Sequence, residues 1–193
     1  MACLSRGSGP AECASGEEFR TDLSQECDDR GRYKSLDDDD GRVGRVPGHG
    51  AFFLNGIPDG KVALLVGGGS GHEPIFGGFL SPNLADGAAC GEVFTSPSPQ
   101  TICEAARAIH RGNGVLFVYG NYSGDTMNFD MAAELLAEEG IETRTIRVRD
   151  DVAVGAPDRP DERRGIAGDV FVIKVAGGAA AELGSLDEVA RVA

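Results

Sequence analysis

Apolar positions are sparse and unpatterned in the first 45 residues and become regular from Val46 onward. Up to about Arg45 the chain is rich in Gly, Ser and Asp, and neither the helical nor the strand period holds beyond a few residues. A segment of this kind cannot bury enough apolar surface to offset its ordering entropy. Residues 1–45 are therefore expected to be a poorly ordered acidic segment, and the run Asp37-Asp38-Asp39-Asp40 reads as a solvated tail rather than a cation site.

From residue 46 to 193, strand-like runs at 62–66, 115–119, 143–148 and 170–175 alternate with helical patterns. Ser98-Pro99 is a helix entry, a capping side chain followed by proline at the first helical position. The helix it opens puts Ile102, Ala105, Ala106 and Ile109 on one face. A second helix over about 128–139 carries Phe129, Ala132, Ala133, Leu135 and Leu136 and stops before Gly140. A third is expected from about Gly178 through 183. Strands alternating with helices predict an α/β fold, a mostly parallel sheet with helices on both faces. Ligands in such sheets bind beyond the carboxyl ends of the strands, which here empty into the loops at 67–74 and 121–125.

Charge and cysteine usage narrow the classes. A formal net charge of −13 argues against a nucleic-acid surface, because phosphate contacts need clustered Lys and Arg. Five cysteines cannot all pair within one chain, and no CxxC or Cys/His spacing points to a metal. Cys3, Cys13 and Cys27 lie in the polar leader, while Cys90 and Cys103 sit among apolar residues. No secretory leader pattern or membrane-length apolar run appears, so a reduced cytoplasmic protein without membrane contact is expected.

The candidate chemistry lies in Gly67-Gly68-Gly69-Ser70-Gly71-His72-Glu73-Pro74. Successive glycines after a buried strand let a ligand approach the backbone, and a histidine at the end of the run can exchange protons near neutral pH. The run fits neither phosphate fingerprint. His72 stands where a P-loop needs Lys, and the helix-opening glycine of GxGxxG is missing. A small polar ligand suits it better than a nucleotide. Asp125, in Asn121-Tyr122-Ser123-Gly124-Asp125, reads equally as a proton acceptor for a hydroxyl or as a helix cap. Ser96 reads as a turn former or as a hydrogen-bond partner of substrate. Arg163-Arg164-Gly165 reads as a solvated loop or an anion contact, and Asp150-Asp151 as a strand-end turn. His110 follows the first helix and His49 lies in a turn.

Taken in order, GGGSGHEP at 67–74, GEVFTSPSP at 91–99, NYSGD at 121–125 with Met127-Asn128-Phe129, Asp150-Asp151-Val152-Ala153-Val154, Arg163-Arg164-Gly165-Ile166-Ala167 and Gly178-Ala179-Ala180-Ala181-Glu182 resemble the substrate-binding domain of dihydroxyacetone kinases. The resemblance covers 46–193 and implies the first lobe of that domain. It implies phosphoryl transfer to a hydroxyl of a short ketose, dihydroxyacetone or a tetrulose. His72 and Asp125 would be the catalytic pair, and Gly68, Gly69 and Ser96 would line the ketose pocket. ATP and Mg²⁺ would be bound by a separate helical domain or subunit, or the phosphoryl donor would be a subunit carrying ADP. A homodimer is also implied.

Two departures qualify it. Gly120 stands where the family has a lysine, which fits a subgroup acting on longer ketoses such as erythrulose. The family's covalent, hemiaminal-forming histidine has no counterpart motif here, and His49, His72 and His110 do not match it. The sequence therefore predicts a truncated kinase lobe, inactive alone, with a non-catalytic ketose-binding or regulatory module, or a decayed gene fragment, as the alternative.

Overall fold

The computed structural model describes residues 41–182 and 184–193. The acidic segment up to residue 40, its Asp run, and Cys3, Cys13 and Cys27 lie outside the described residues. Strands β1 (Val43–Arg45), β2 (Ala51–Leu54), β3 (Ala63–Ser70), β4 (Gly87–Val93), β5 (Val115–Gly120) and β6 (Thr143–Val148) form one sheet in the order β1-β2-β4-β3-β5-β6. The four strands β4, β3, β5 and β6 are parallel, and the β1–β2 ribbon adds antiparallel to β4. β1 begins upstream of the boundary expected at Val46, because its backbone is paired with Phe52–Leu54 of β2.

Strand alternation divides the core in two. Ala63, Leu65, Val115, Phe117 and Tyr119 face helices α1 (Pro99–Ile109) and α2 (Ser123–Glu138), meeting Ile102, Ile109, Phe129 and Leu136. Val62, Leu64, Val66, Leu116 and Val118 face α3 (Gly168–Glu182) and α4 (Leu186–Val192), meeting Ile173, Ala176, Ala180 and Val189. Both faces of the parallel strands are thus covered, as their continuous apolar runs require. Phe129 anchors the first layer, stacked on Tyr119 at 4.3 Å and edge-on to Phe117 at 5.2 Å. Cys90 and Cys103 are both buried and form no disulfide with each other; burial pushes the Cys103 thiol up.

The cap expected at Ser98 is present, its hydroxyl accepting from the Thr101 N–H at 3.2 Å. β6 coincides with the expected strand at 143–148. Two expectations fail. The run at 170–175 is helical, and the separate helix expected from Gly178 is its continuation within α3. Its buried residues, Ile173, Ala176, Gly177 and Ala180, recur at helical spacing. Gly177 lets α3 approach a loop backbone: a Cβ there would lie 2.5 Å from the Asn83 carbonyl oxygen. The second failure concerns Gly67, Gly68, Gly69 and Ser70, which continue β3 instead of forming a loop. A Cβ at Gly67 would meet the Ala89 carbonyl oxygen at 2.6 Å and the Phe129 ring at 2.8 Å. These glycines permit close strand and ring packing, with a register shift between Gly68 and Ser70. The chain turns at Gly71, whose φ of +92° suits glycine.

Candidate active site

β3 is the central parallel strand, and the chain passes from it to β4 on one side before crossing to β5 on the other. The carboxyl end of β3 is therefore the switch point where an open α/β sheet leaves a crevice. A cavity of about 500 Å³ opens there, lined by Gly68 and Gly69 of β3, His72, Phe76, Phe94, Ser96, Gly120, Tyr122, Asp125, Gly165, Ile166 and Asp169. All five residues expected to form the site, His72, Asp125, Gly68, Gly69 and Ser96, converge on it.

Backbone contact sets its floor. A Cβ at Gly69 would lie 2.8 Å from the Thr95 nitrogen and 3.0 Å from the Phe94 Cα, so glycine lets the loop after β4 lie against β3. Phe94 holds a φ of +52°, rare for an aromatic residue, and its ring is 72 % exposed at the rim. Across the cavity, Asn121 donates to the Arg163 carbonyl at 2.8 Å and the Tyr122 hydroxyl donates to the Gly165 carbonyl at 3.0 Å. These two bonds fix the loop after β6 above β5. Asp150 serves the same loop: its carboxylate accepts from the Ile166 and Gly168 amides at 2.8 and 2.7 Å. Arg164 faces Asp151 across 3.9 Å at the exposed edge of that loop.

His72 is exposed, with its ring against Phe94 at 5.7 Å. Its Nδ1 lies 3.1 Å from the Ile75 carbonyl oxygen, which can only accept. That contact places a proton on Nδ1 and leaves Nε2 for a ligand. His49 and His110 do not line the cavity; His110 is the C-cap of α1.

Asp125 lies in the first turn of α2, earlier than the helix start expected near 128. The cap reading fails, because the N-cap is Tyr122 and makes no side-chain capping bond. The carboxyl is 9 % exposed and its Oδ1 has no hydrogen-bond partner. Burial raises its pKa, opposed by the Ser96 hydroxyl and the charge of His72. Ser96 is held beside it by α2, accepting from Asn128 Nδ2 at 3.4 Å.

Asp169, at the start of α3, is a site residue that sequence reasoning missed. It is 3 % exposed, its Oδ1 has no donor, and burial followed by the charges of Asp150 and Asp125 pushes its pKa up to about 7. The misassigned strand at 170–175 hid it, since a strand start carries no reason to bury a carboxyl. No Lys or Arg lines the cavity. Among the described residues no cluster of three or more His, Cys, Asp or Glu could hold a metal ion.

Residues 41–193 match the Dak1 domain. The chain belongs to that family. A Dak1 relative, the L-erythrulose 1-kinase of Mycolicibacterium smegmatis, is 45 % identical over 148 residues, which are 77 % of this chain and 26 % of the relative. The dihydroxyacetone-binding subunit DhaK of a PTS-dependent dihydroxyacetone kinase from Lactococcus lactis is 47 % identical over 151 residues, 78 % of this chain and 46 % of the subunit. The crystal structure of the C. freundii dihydroxyacetone kinase superposes with a TM-score of 0.73 at 34 % identity, covering 78 % of this chain and 28 % of that one. This Dak1 chain thus spans from about a quarter to under half the length of these relatives. Among the described residues no helix is long and apolar enough to cross a membrane.

Proposed function

We propose that this chain supplies the ketose side of a kinase that phosphorylates a hydroxyl of a short ketose, dihydroxyacetone or a tetrulose. One observation carries the reading: Asp125 holds a buried carboxylate oxygen with no donor, on a cavity that also presents Ser96 and the free Nε2 of His72. A buried acceptor left without a donor is costly unless a ligand hydroxyl supplies one. Asp125 accepts the hydroxyl proton as the oxygen attacks phosphorus, and His72 holds a neighbouring oxygen of the ketose. Gly68 and Gly69 let the substrate lie against the backbone. Positioning dominates this chemistry, and a rigid glycine floor provides it.

The donor belongs elsewhere in this reading. The cavity lacks a phosphate-binding loop and a metal-ligand set, so ATP with its Mg²⁺, or an ADP-bearing donor subunit, is assigned to a separate helical domain or subunit. The structure of the C. freundii dihydroxyacetone kinase in complex with AMP-PNP and Mg²⁺ supports nucleotide use within the family. A homodimer and a cytoplasmic location complete the reading. A second reading, a ketose-binding regulatory module without transfer, draws on the likeness to the dihydroxyacetone kinase operon co-activator DhaQ, at TM-score 0.71 and 31 % identity.

The test is turnover of the kinase containing this chain, with dihydroxyacetone and erythrulose. Asp125→Ala and His72→Ala are each expected to lower kcat by about 10²- to 10⁴-fold. Wild-type rates in both variants refute the roles. Ketose binding without any transfer, with every donor supplied, favours the regulatory module.

A further inference from the structure

Two buried carboxylates border the cavity, and the transfer reading uses only Asp125. We propose that Asp169 selects for ketoses longer than three carbons, accepting a hydrogen bond from the hydroxyl of the added carbon in the space beside Gly120. The inference rests on the ketose reading above and goes further by assigning a residue to chain length.

The geometry isolates this carboxyl. Asp169 lines the same cavity as Asp125, is 3 % exposed, and leaves Oδ1 without a partner. It does not cap α3: the amides at that entrance, Ile166 and Gly168, bond to Asp150. It pairs with no cation among the described residues, and its charged neighbours, Asp150 and Asp125, are acidic. Structure therefore gives it no role, while its burial without a donor penalises the fold.

Gly120 explains where the ligand would sit. A Cβ built there would lie 3.3 Å from Asp169 Oδ2 and 3.1 Å from the Tyr122 ring. Any side chain at 120 would fill the volume in front of Asp169, and glycine leaves it open. The opposite wall is Gly165, whose own Cβ would lie 2.5 Å from the Gly120 Cα, so this corner is bounded by backbone, the Tyr122 ring and a single carboxyl. A hydroxymethyl group fits such a corner: its carbon needs the space, and its O–H supplies the donor. At near-neutral pH a carboxyl pushed up to about 7 either accepts from or donates to a hydroxyl, so both forms engage it.

The experiment titrates the 193-residue chain with dihydroxyacetone and with each enantiomer of erythrulose, followed by saturation-transfer NMR. The wild-type chain is expected to bind one erythrulose enantiomer about tenfold more tightly than dihydroxyacetone, the ratio a hydrogen bond to a charged group confers. Asp169→Ala and Gly120→Ala should each bring the ratio to near one. Asp169→Asn keeps shape and one acceptor and should bring it to about threefold; it decides the matter if Asp169→Ala fails to fold. Wild-type preference retained in Asp169→Ala, or in Asp169→Asn where Asp169→Ala is unfolded, overturns the proposal and leaves the ketose reading standing. Equal wild-type affinity for both ketoses does the same. Binding of neither ketose overturns both.

Discussion

Two cavities of nearly equal volume, about 500 and 510 Å³, lie at opposite ends of strand β3. The one at the amino end also holds a buried carboxylate, Asp86, but there every demand is met. Asp86 accepts the Leu64 amide at 2.8 Å and is bonded to Lys61, both side chains being nearly enclosed. At the carboxyl end, Asp125 and Asp169 face the cavity with oxygens that have no donor. The difference is one of satisfaction, not of size. A filled network holds a fold together, whereas an unfilled one waits for a ligand.

The largest effect should separate the two carboxylates at the two ends. Asp86→Ala leaves Lys61 buried and the Leu64 amide without its acceptor, and is expected to cost about 3–5 kcal/mol of stability by urea unfolding. Asp125→Ala removes a carboxylate whose Oδ1 has no partner and which only the Ser96 hydroxyl meets, and should move stability by about 1 kcal/mol or less. A stability loss for Asp125→Ala equal to that for Asp86→Ala would erase the distinction.

Glycine substitutions sharpen it on an intermediate scale. Gly69→Ala drives a Cβ into the backbone at Phe94 and Thr95 and is expected to cost about 1–3 kcal/mol, with loss of ketose affinity. Gly56→Ala, at the amino-end cavity, meets open space and pays only for its φ of +78°, about 1 kcal/mol by thermal melting. Ketose affinity should be untouched there.

A slope with pH gives a separate readout of the same contrast. Asp169 holds its proton up to about 7 in the native state, against 3.8 for an ordinary Asp, and Asp125 is displaced in the same direction. Between these values the native state binds more protons than the unfolded chain, so stability falls as pH rises from about 4 to 7 and levels off above. Melting curves should show this decline, and Asp169→Asn should flatten it. An unchanged slope in that variant would place the titration elsewhere.

The sequence made β3, β5 and β6 and the convergence of His72, Asp125 and Ser96 legible, because β3 and β5 carry apolar runs, β6 is rich in β-branched residues, and the motifs follow strand ends. It hid elements whose residues argue against their state. β4, Gly87–Val93, is built on Gly and Ala, poor strand formers, and is held between β2 and β3 where a Cβ at Gly87 would strike Ile109 at 2.8 Å. α3 errs the other way: Val170, Phe171 and Val175 favour a strand, yet all three are exposed, and the small residues beneath them set the helical contact. That error of period concealed Asp169.

The floor of the cavity is backbone: at Gly68, Gly69 and Gly165 neighbouring chain or ring atoms leave no room for a side chain. Its rim is the reverse. Phe94, Tyr122 and Ile166 are 72 %, 42 % and 46 % exposed and carry little of the core. Mutational tolerance is thus partitioned within a few ångströms. A library randomised at Phe94 and Ile166 explores new specificities on an invariant stage, and selection can retune the pocket without renegotiating the sheet.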